Sequence, residues 1–332
     1  MTARRIRSST NLEQAARDCD ALDRALETLI ASGADPVVAP LADLSRPAQV
    51  HLAHRWPTLP DDLRARIVAT MVADAELEVA RNFDRVFSIA IDDMRSDVRA
   101  QAWEGLWEND SLDVLHLLLA RLDAEMDGAV RAAMADTLGR FAALAEMGQL
   151  TENHAAAVRG ALLGLARRDP DQMVRDRALE AAGYFAGDGE VIAEIERRYN
   201  DGSDAGRIQA LRAMGRQADR RFRAEIMENL SDPEPEVRFA AVHAAGDSSD
   251  QAYVPALIDL LDDEDREVQL AVISALGAIG GTLAVRTLRR LLQDVEPAIA
   301  EAAQDALDEA LISAGELPSG PAITGDDLDD LA

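Results

Sequence analysis

An anchor residue, apolar or small, returns along this chain at nearly constant spacing: Val98, Val130, Val174, Gly206, Val237, Val268 and Ile299. The separations are 32, 44, 32, 31, 31 and 31 residues. A period of this length marks a repeat array, in which each unit buries its apolar face only by stacking on its neighbours. The segments Glu236-Val-Arg-Phe-Ala-Ala-Val-His-Ala-Ala-Gly246 and Glu267-Val-Gln-Leu-Ala-Val-Ile-Ser-Ala-Leu-Gly277 align without a gap, and Met173 to Gly183 follows the same pattern.

Within a unit, small or apolar residues occupy the anchor and the positions four and eight residues on, as at Val268, Val272 and Leu276. That spacing puts them on one helix face. A glycine stands nine residues after the anchor at Gly139, Gly183, Gly215, Gly246 and Gly277, where it can take the left-handed conformation that ends a helix. Five residues before the anchor stands an acid: Asp93, Glu125, Asp169, Asp201, Asp232, Asp263 or Asp294. In the turn before a helix such a carboxylate can accept backbone N–H bonds as a cap. Another apolar helix precedes it, for example Val254 to Leu261. Each unit therefore reads as helix, short acidic turn, helix, and the fold class as all-α: an α-solenoid, a superhelix of stacked antiparallel helix pairs.

The arrangement Asp-x-x-x-x-Val-Arg-x-x-Ala-x-x-Ala-Leu-Gly resembles the HEAT repeat in its bacterial HEAT-like form. The resemblance covers residues 85–312 and implies a ladder in which the turn acid and the arginine after the valine link successive repeats. The matching acids are Asp93, Asp169, Asp201, Asp232 and Asp263, and the arginines are Arg99, Arg131, Arg175, Arg207 and Arg238. Gln269 and Ala300 depart from the pattern, so the ladder should weaken in the last two units.

Around the array, residues 1–10 are expected to be disordered, and residues 11–84 to form an atypical helical cap without the anchor motif. Residues 313–332 read as an acidic disordered tail. Trp56, Phe83, Phe87, Trp103 and Trp107 concentrate toward the N-terminal end and are expected mainly to fill the core. The 44-residue separation places about a dozen extra residues between Gly139 and Asp169, expected as a longer loop near Ala145–Asn153.

Composition narrows the function classes. Acids outnumber bases 61 to 34, the net charge is −27, and lysine is absent. Nucleic-acid binding starts from a basic face, and anionic membranes attract basic segments, so neither partner is expected. No run of 18 uncharged apolar residues occurs, and Met1 to Thr10 is not followed by the apolar stretch of a signal peptide. Cytoplasmic localisation is the expectation. Cys19 is the single cysteine.

No catalytic motif is present: no Gly-x-Ser-x-Gly, no phosphate-binding glycine loop with lysine, no His-Glu-x-x-His. His51 and His54 are three residues apart with no third ligand nearby; His116 follows the apolar run of a first helix, His154 and His243 stand alone, and all three read as ordinary structural or surface histidines. No metal or cofactor is expected. The resemblance leaves an enzymatic alternative, the HEAT-like phycobilin lyases, whose signature is mostly the repeat itself. The iron-dependent hydroxylases of this architecture carry His-Glu dyads, and this chain has none.

In such repeats the second helix lines the concave face, which makes positions two and six after the anchor two columns along a groove. They run acidic through Glu104, Asp136, Asp176 and Glu180, then apolar at Ile208, Phe239 and Leu270, flanked by Arg212 and His243. The reading is a non-catalytic scaffold that binds a protein partner, or a second copy of itself, along this groove.

Overall fold

The computed structural model describes residues 2–32, 36–77, 80–293 and 296–314, and among them there are seventeen α-helices and no strand. Asp294 and the tail from residue 315 lie outside the described residues. The chain divides into two units, Met1–Ala181 and Ala182–Ala332.

The first unit opens with α1 (Thr2–Ser32), α2 (Arg46–Arg55) and α3 (Asp61–Leu77). Pairs follow: α4 (Asp84–Ala90) with α5 (Ser96–Gly105), and α6 (Leu112–Leu122) with α7 (Gly128–Glu146). The last pair is α8 (Glu152–Arg168) and α9 (Gln172–Ala182). The second unit has four pairs: α10 (Gly189–Tyr199) and α11 (Asp204–Gln217), then α12 (Arg223–Asn229) and α13 (Pro235–Asp247). They continue with α14 (Val254–Asp259) and α15 (Arg266–Ile279), and α16 (Gly281–Leu291) and α17 (Pro297–Ser313). Second helices pack on second helices, α3 on α5 on α7 in one unit and α11 on α13 on α15 on α17 in the other.

The core follows the three-position rule. All seven anchors are buried. So are the residues four on (Ala102, Met134, Ala178, Ala210, Ala241, Val272, Ala303) and eight on (Leu106, Leu138, Ala182, Met214, Ala245, Leu276, Leu307). A fully buried aliphatic side chain contributes about 1.5–3 kcal/mol. Summed over the array, this packing holds helices too short to persist alone.

Most turn acids have two jobs, neither of them that of the N-cap itself; Asp201 has the first, while Arg175, expected as its ladder partner, instead bonds the Asp169 and Pro170 carbonyls and Gln172. Asp93, Glu125, Asp169, Asp201, Asp232 and Asp263 each accept the backbone N–H two residues on, fixing the turn into the second helix. The N-cap lies two residues later and is often polar, as at Asp127, Ser203 and Asp265. The acid's second job is the rung. Arg99 pairs with Glu125 (2.9 Å), Arg131 with Asp169 (2.7 Å), Arg207 with Asp232 (2.6 Å) and Arg238 with Asp263 (2.7 Å). The same arginines reach back to the turn of their own repeat, Arg99 to the Asp93 carbonyl and Arg238 to that of Asp232. Arg175 does likewise to Asp169 and Pro170. Gln269 keeps this inward half of the role, donating to the Asp263 carbonyl at 2.7 Å.

Several expectations need correction. The cap region is not free of the motif: Leu63 and Arg64 on α3 act as anchor and ladder arginine. Arg64 donates to both oxygens of Asp93 (2.6 and 3.1 Å) and to the Leu59 carbonyl, and Trp56 Nε1 also donates to Asp93. The recurring glycines do not end their helices in the left-handed region. Gly139, Gly215, Gly246 and Gly277 are helical and lie against Ala181, Ala244, Ala275 and Ala306, each seven residues past the next anchor. The extra residues near 145–153 extend α7 and α8, to 19 and 17 residues, and leave a loop of only 147–151. Alanine and leucine dominate that stretch and favour continued helix. α1 starts at Thr2, so residues 2–10 are helical where no regular structure is expected from sequence. Of the aromatics, Trp56, Phe83, Phe87 and Trp103 are buried, whereas Trp107 is 56% exposed just beyond α5.

Candidate functional site

Because the anchor face of each second helix is committed to the core, the residues six after the anchor stand on the opposite side. Glu104, Asp136, His243, Ser274 and Asp305 are exposed there, and Glu180 and Arg212 half-buried. The residues two after the anchor are more enclosed than a simple outward face requires. Ala100 and Ala132 are buried, and Ile208, Phe239 and Leu270 are half-buried. Close helix packing, which the glycine–alanine contacts permit, brings this column against the neighbouring second helix.

In the first unit this face is acidic. Asp136 pairs with Arg177 of α9 at 2.8 Å, and Asp176 accepts a bond from Gln172. Protein packed around the Asp136 carboxyl pushes its pKa up; Arg177 opposes the rise and the nearby charges of Glu180 and Glu104 add to it. Three carboxylates thus share one stretch of surface with a single arginine.

In the second unit Ile208, Arg212, Pro235, Glu236, Phe239, Asp265 and Glu267 line a recess of about 280 Å³. Its apolar members come from α11 and α13, and its three carboxylates from α13 and the start of α15. Phe239 and His243 lie one turn apart on α13 with ring centroids 4.4 Å apart and a 60° tilt, so the imidazole covers one side of the phenyl ring. Leu270 lies on α15 outside the recess lining. The sequence columns therefore bring Ile208, Arg212 and Phe239 together and leave Leu270 beside them. Pro235, Glu236, Asp265 and Glu267 were not singled out by the column rule. They belong to the N-terminal turns of α13 and α15, which the rule does not sample.

Among the described residues no group of three or more His, Cys, Asp or Glu is disposed to hold a metal ion, and no helix is long and apolar enough to cross a membrane. His51 is hydrogen-bonded to Asp23, and His54 Nδ1 to the Val50 carbonyl. His116 and His154 do not stand alone: their Nε2 atoms are 3.4 Å apart.

A family model described as HEAT repeats matches residues 191–265 and 224–308. No curated protein matches the chain by sequence. Among solved structures, Escherichia coli YibA is 19% identical, with 81% of this chain and 89% of that one covered and a TM-score of 0.41. Human deoxyhypusine hydroxylase in complex with glycerol is 17% identical, with coverage of 90% and 98% and a TM-score of 0.35. Kap95p, in a structure with RanGDP, is 15% identical, with coverage of 94% and 44% and a TM-score of 0.43. Residues 191–308 thus carry matched HEAT repeats, and the same acid–anchor–arginine turn is built into the helix pairs that precede them.

Proposed function

We propose that this protein is a non-catalytic interaction scaffold whose second unit takes a segment of a protein partner at the Ile208–Phe239 recess. The recess itself carries this reading. It offers apolar surface from two helices, half-buried yet open, on a face where the packing rule calls for polar side chains. Its rim holds Glu236, Asp265 and Glu267 against Arg212 alone, so the occupant is a segment with an apolar anchor and basic flanks. The acidic face of the first unit, with Glu104, Asp136, Asp176 and Glu180, favours encounter with the same class of basic partner.

The test uses synthetic amphipathic peptides that share one apolar anchor and differ only in arginine or aspartate flanks. Fluorescence anisotropy should show binding of the basic peptides, weakening with salt, and loss of that binding in Phe239→Ser and Ile208→Ser. Equal binding of acidic and basic peptides, or undiminished binding by both variants, overturns the reading. A concentration-dependent dimer in sedimentation that Phe239→Ser abolishes would instead assign the recess to a second copy of the chain.

A further inference from the structure

His116 sits in the middle of α6 and His154 in the first turn of α8, where Thr151 caps the helix and accepts the His154 backbone N–H. The two imidazoles meet edge to face, with centroids 5.3 Å apart and planes at 66°, and their Nε2 atoms are 3.4 Å apart. That separation is long for a direct hydrogen bond, since N–H donors prefer about 2.9–3.0 Å. It matches a different arrangement. Two imidazole nitrogens on one tetrahedral ion, each about 2.0–2.1 Å from it, stand about 3.3–3.4 Å apart.

We propose that His116 and His154 form a two-histidine site for a divalent transition metal, with Zn²⁺, Ni²⁺ and Cu²⁺ as the fitting class. Imidazole donors select these ions over Mg²⁺ and Ca²⁺, which take oxygen. His116 is exposed and His154 half-buried, so an ion reaches the pair directly and solvent completes its coordination. Two features keep the affinity micromolar rather than nanomolar. The protein supplies two ligands only. In addition, His154 Nδ1 is buried without a partner, and it must carry the ring proton once Nε2 is given to the metal. The bound ion ties α6 to α8, two helices that otherwise part around Gly160 and Gly164, where a cleft of about 620 Å³ lies between them.

Isothermal titration of the tag-free full chain with ZnCl₂ at neutral pH should show one site and a raised melting temperature, with MgCl₂ giving neither. His116→Ala and His154→Ala should each lose the binding heat and the thermal shift, while His51→Ala keeps both. On addition of ZnCl₂ to the wild type, the side-chain NMR signals of His116 and His154 should move together; this readout does not depend on any variant folding. No heat with wild type, unmoved His116 and His154 signals, or binding as strong as wild type in either alanine variant overturns the site.

Discussion

Gly215 of α11 lies so close to Ala244 of α13 that a Cβ at position 215 would stand 2.7 Å from the Ala244 Cα. The backbone of the neighbouring repeat cannot give way as a flexible side-chain end can. In an open helix, glycine to alanine gains up to about 1 kcal/mol from propensity. Here overpacking, typically about 1–3 kcal/mol, opposes that gain and exceeds it. Gly215→Ala should lower stability by about 1–2 kcal/mol in denaturant titration. Gly160→Ala, in α8 with nothing within 4 Å of the added carbon, should raise it by about 0.5–1 kcal/mol. The same substitution is thus expected to change sign between two helical glycines.

Ala218 caps α11 with a left-handed backbone, φ 49° and ψ 23°. An L-residue with a Cβ bears roughly 1–2 kcal/mol in this region. Ala218→Gly should recover part of it, less the greater freedom of glycine in the unfolded chain, for a net gain of about 0.5–1 kcal/mol. A thermal melt that moves down would show that the Ala218 methyl is needed for packing.

Asp93 is the most enclosed of the rungs: its side chain is 1% exposed and that of Arg64 4%. Removing one partner of a buried pair strands the other, so Asp93→Asn should cost about 3–5 kcal/mol. Asp232→Asn faces the 29%-exposed side chain of Arg207 and should cost only about 1–2 kcal/mol. The rungs also set an acid limit. Burial tends to raise Asp93, Glu125 and Asp169, but bonds from Arg64, Arg99 and Arg131 and from the turn N–H groups outweigh it and hold all three low. Asp263 is lowered chiefly by Arg238. Carboxylates depressed in the folded state add stability above the unfolded values, about 3.9–4.3, and lose it as pH falls through their folded values. Chemical-denaturation stability should therefore be flat with respect to these groups from neutral pH to about pH 5 and drop below about pH 4.

Much of this could be read from sequence because the repeat spacing and the helix period report the same face. Val98, Val237 and Val268 lead to the buried positions four and eight residues on, and the acid five residues before them marks the turn. What spacing does not encode is what a residue touches in the next repeat. The glycines recur for contact with alanines such as Ala244 and Ala306, and only three dimensions distinguish that from a helix stop. The Leu63-Arg64 rung was obscured because Thr58 stands where an acid marks the other turns. His116 and His154, 38 residues apart on different helices, carry no local signature. The recess is the same kind of case, since half its lining comes from helix starts that no outward column samples.

Phe239 and Val237 sit two residues apart on α13 and separate the groove from the core. Val237 is 0% exposed and Phe239 half-buried. Val237→Ser removes two buried methyls and buries a hydroxyl among apolar neighbours, so it should cost about 3 kcal/mol or more. Truncating a fully buried phenylalanine costs about 3–5 kcal/mol. Phe239 is only partly buried and should forfeit somewhat less than that, about 2–3 kcal/mol. In a paired titration Phe239→Ser should stay folded at room temperature with native circular dichroism, yet fail to bind the basic amphipathic peptides. Phe239→Leu, which keeps apolar bulk but loses the tilted ring contact with His243, should bind at reduced affinity. If Phe239→Ser is as destabilising as Val237→Ser, the ring belongs to the core and the recess is packing, not a docking surface.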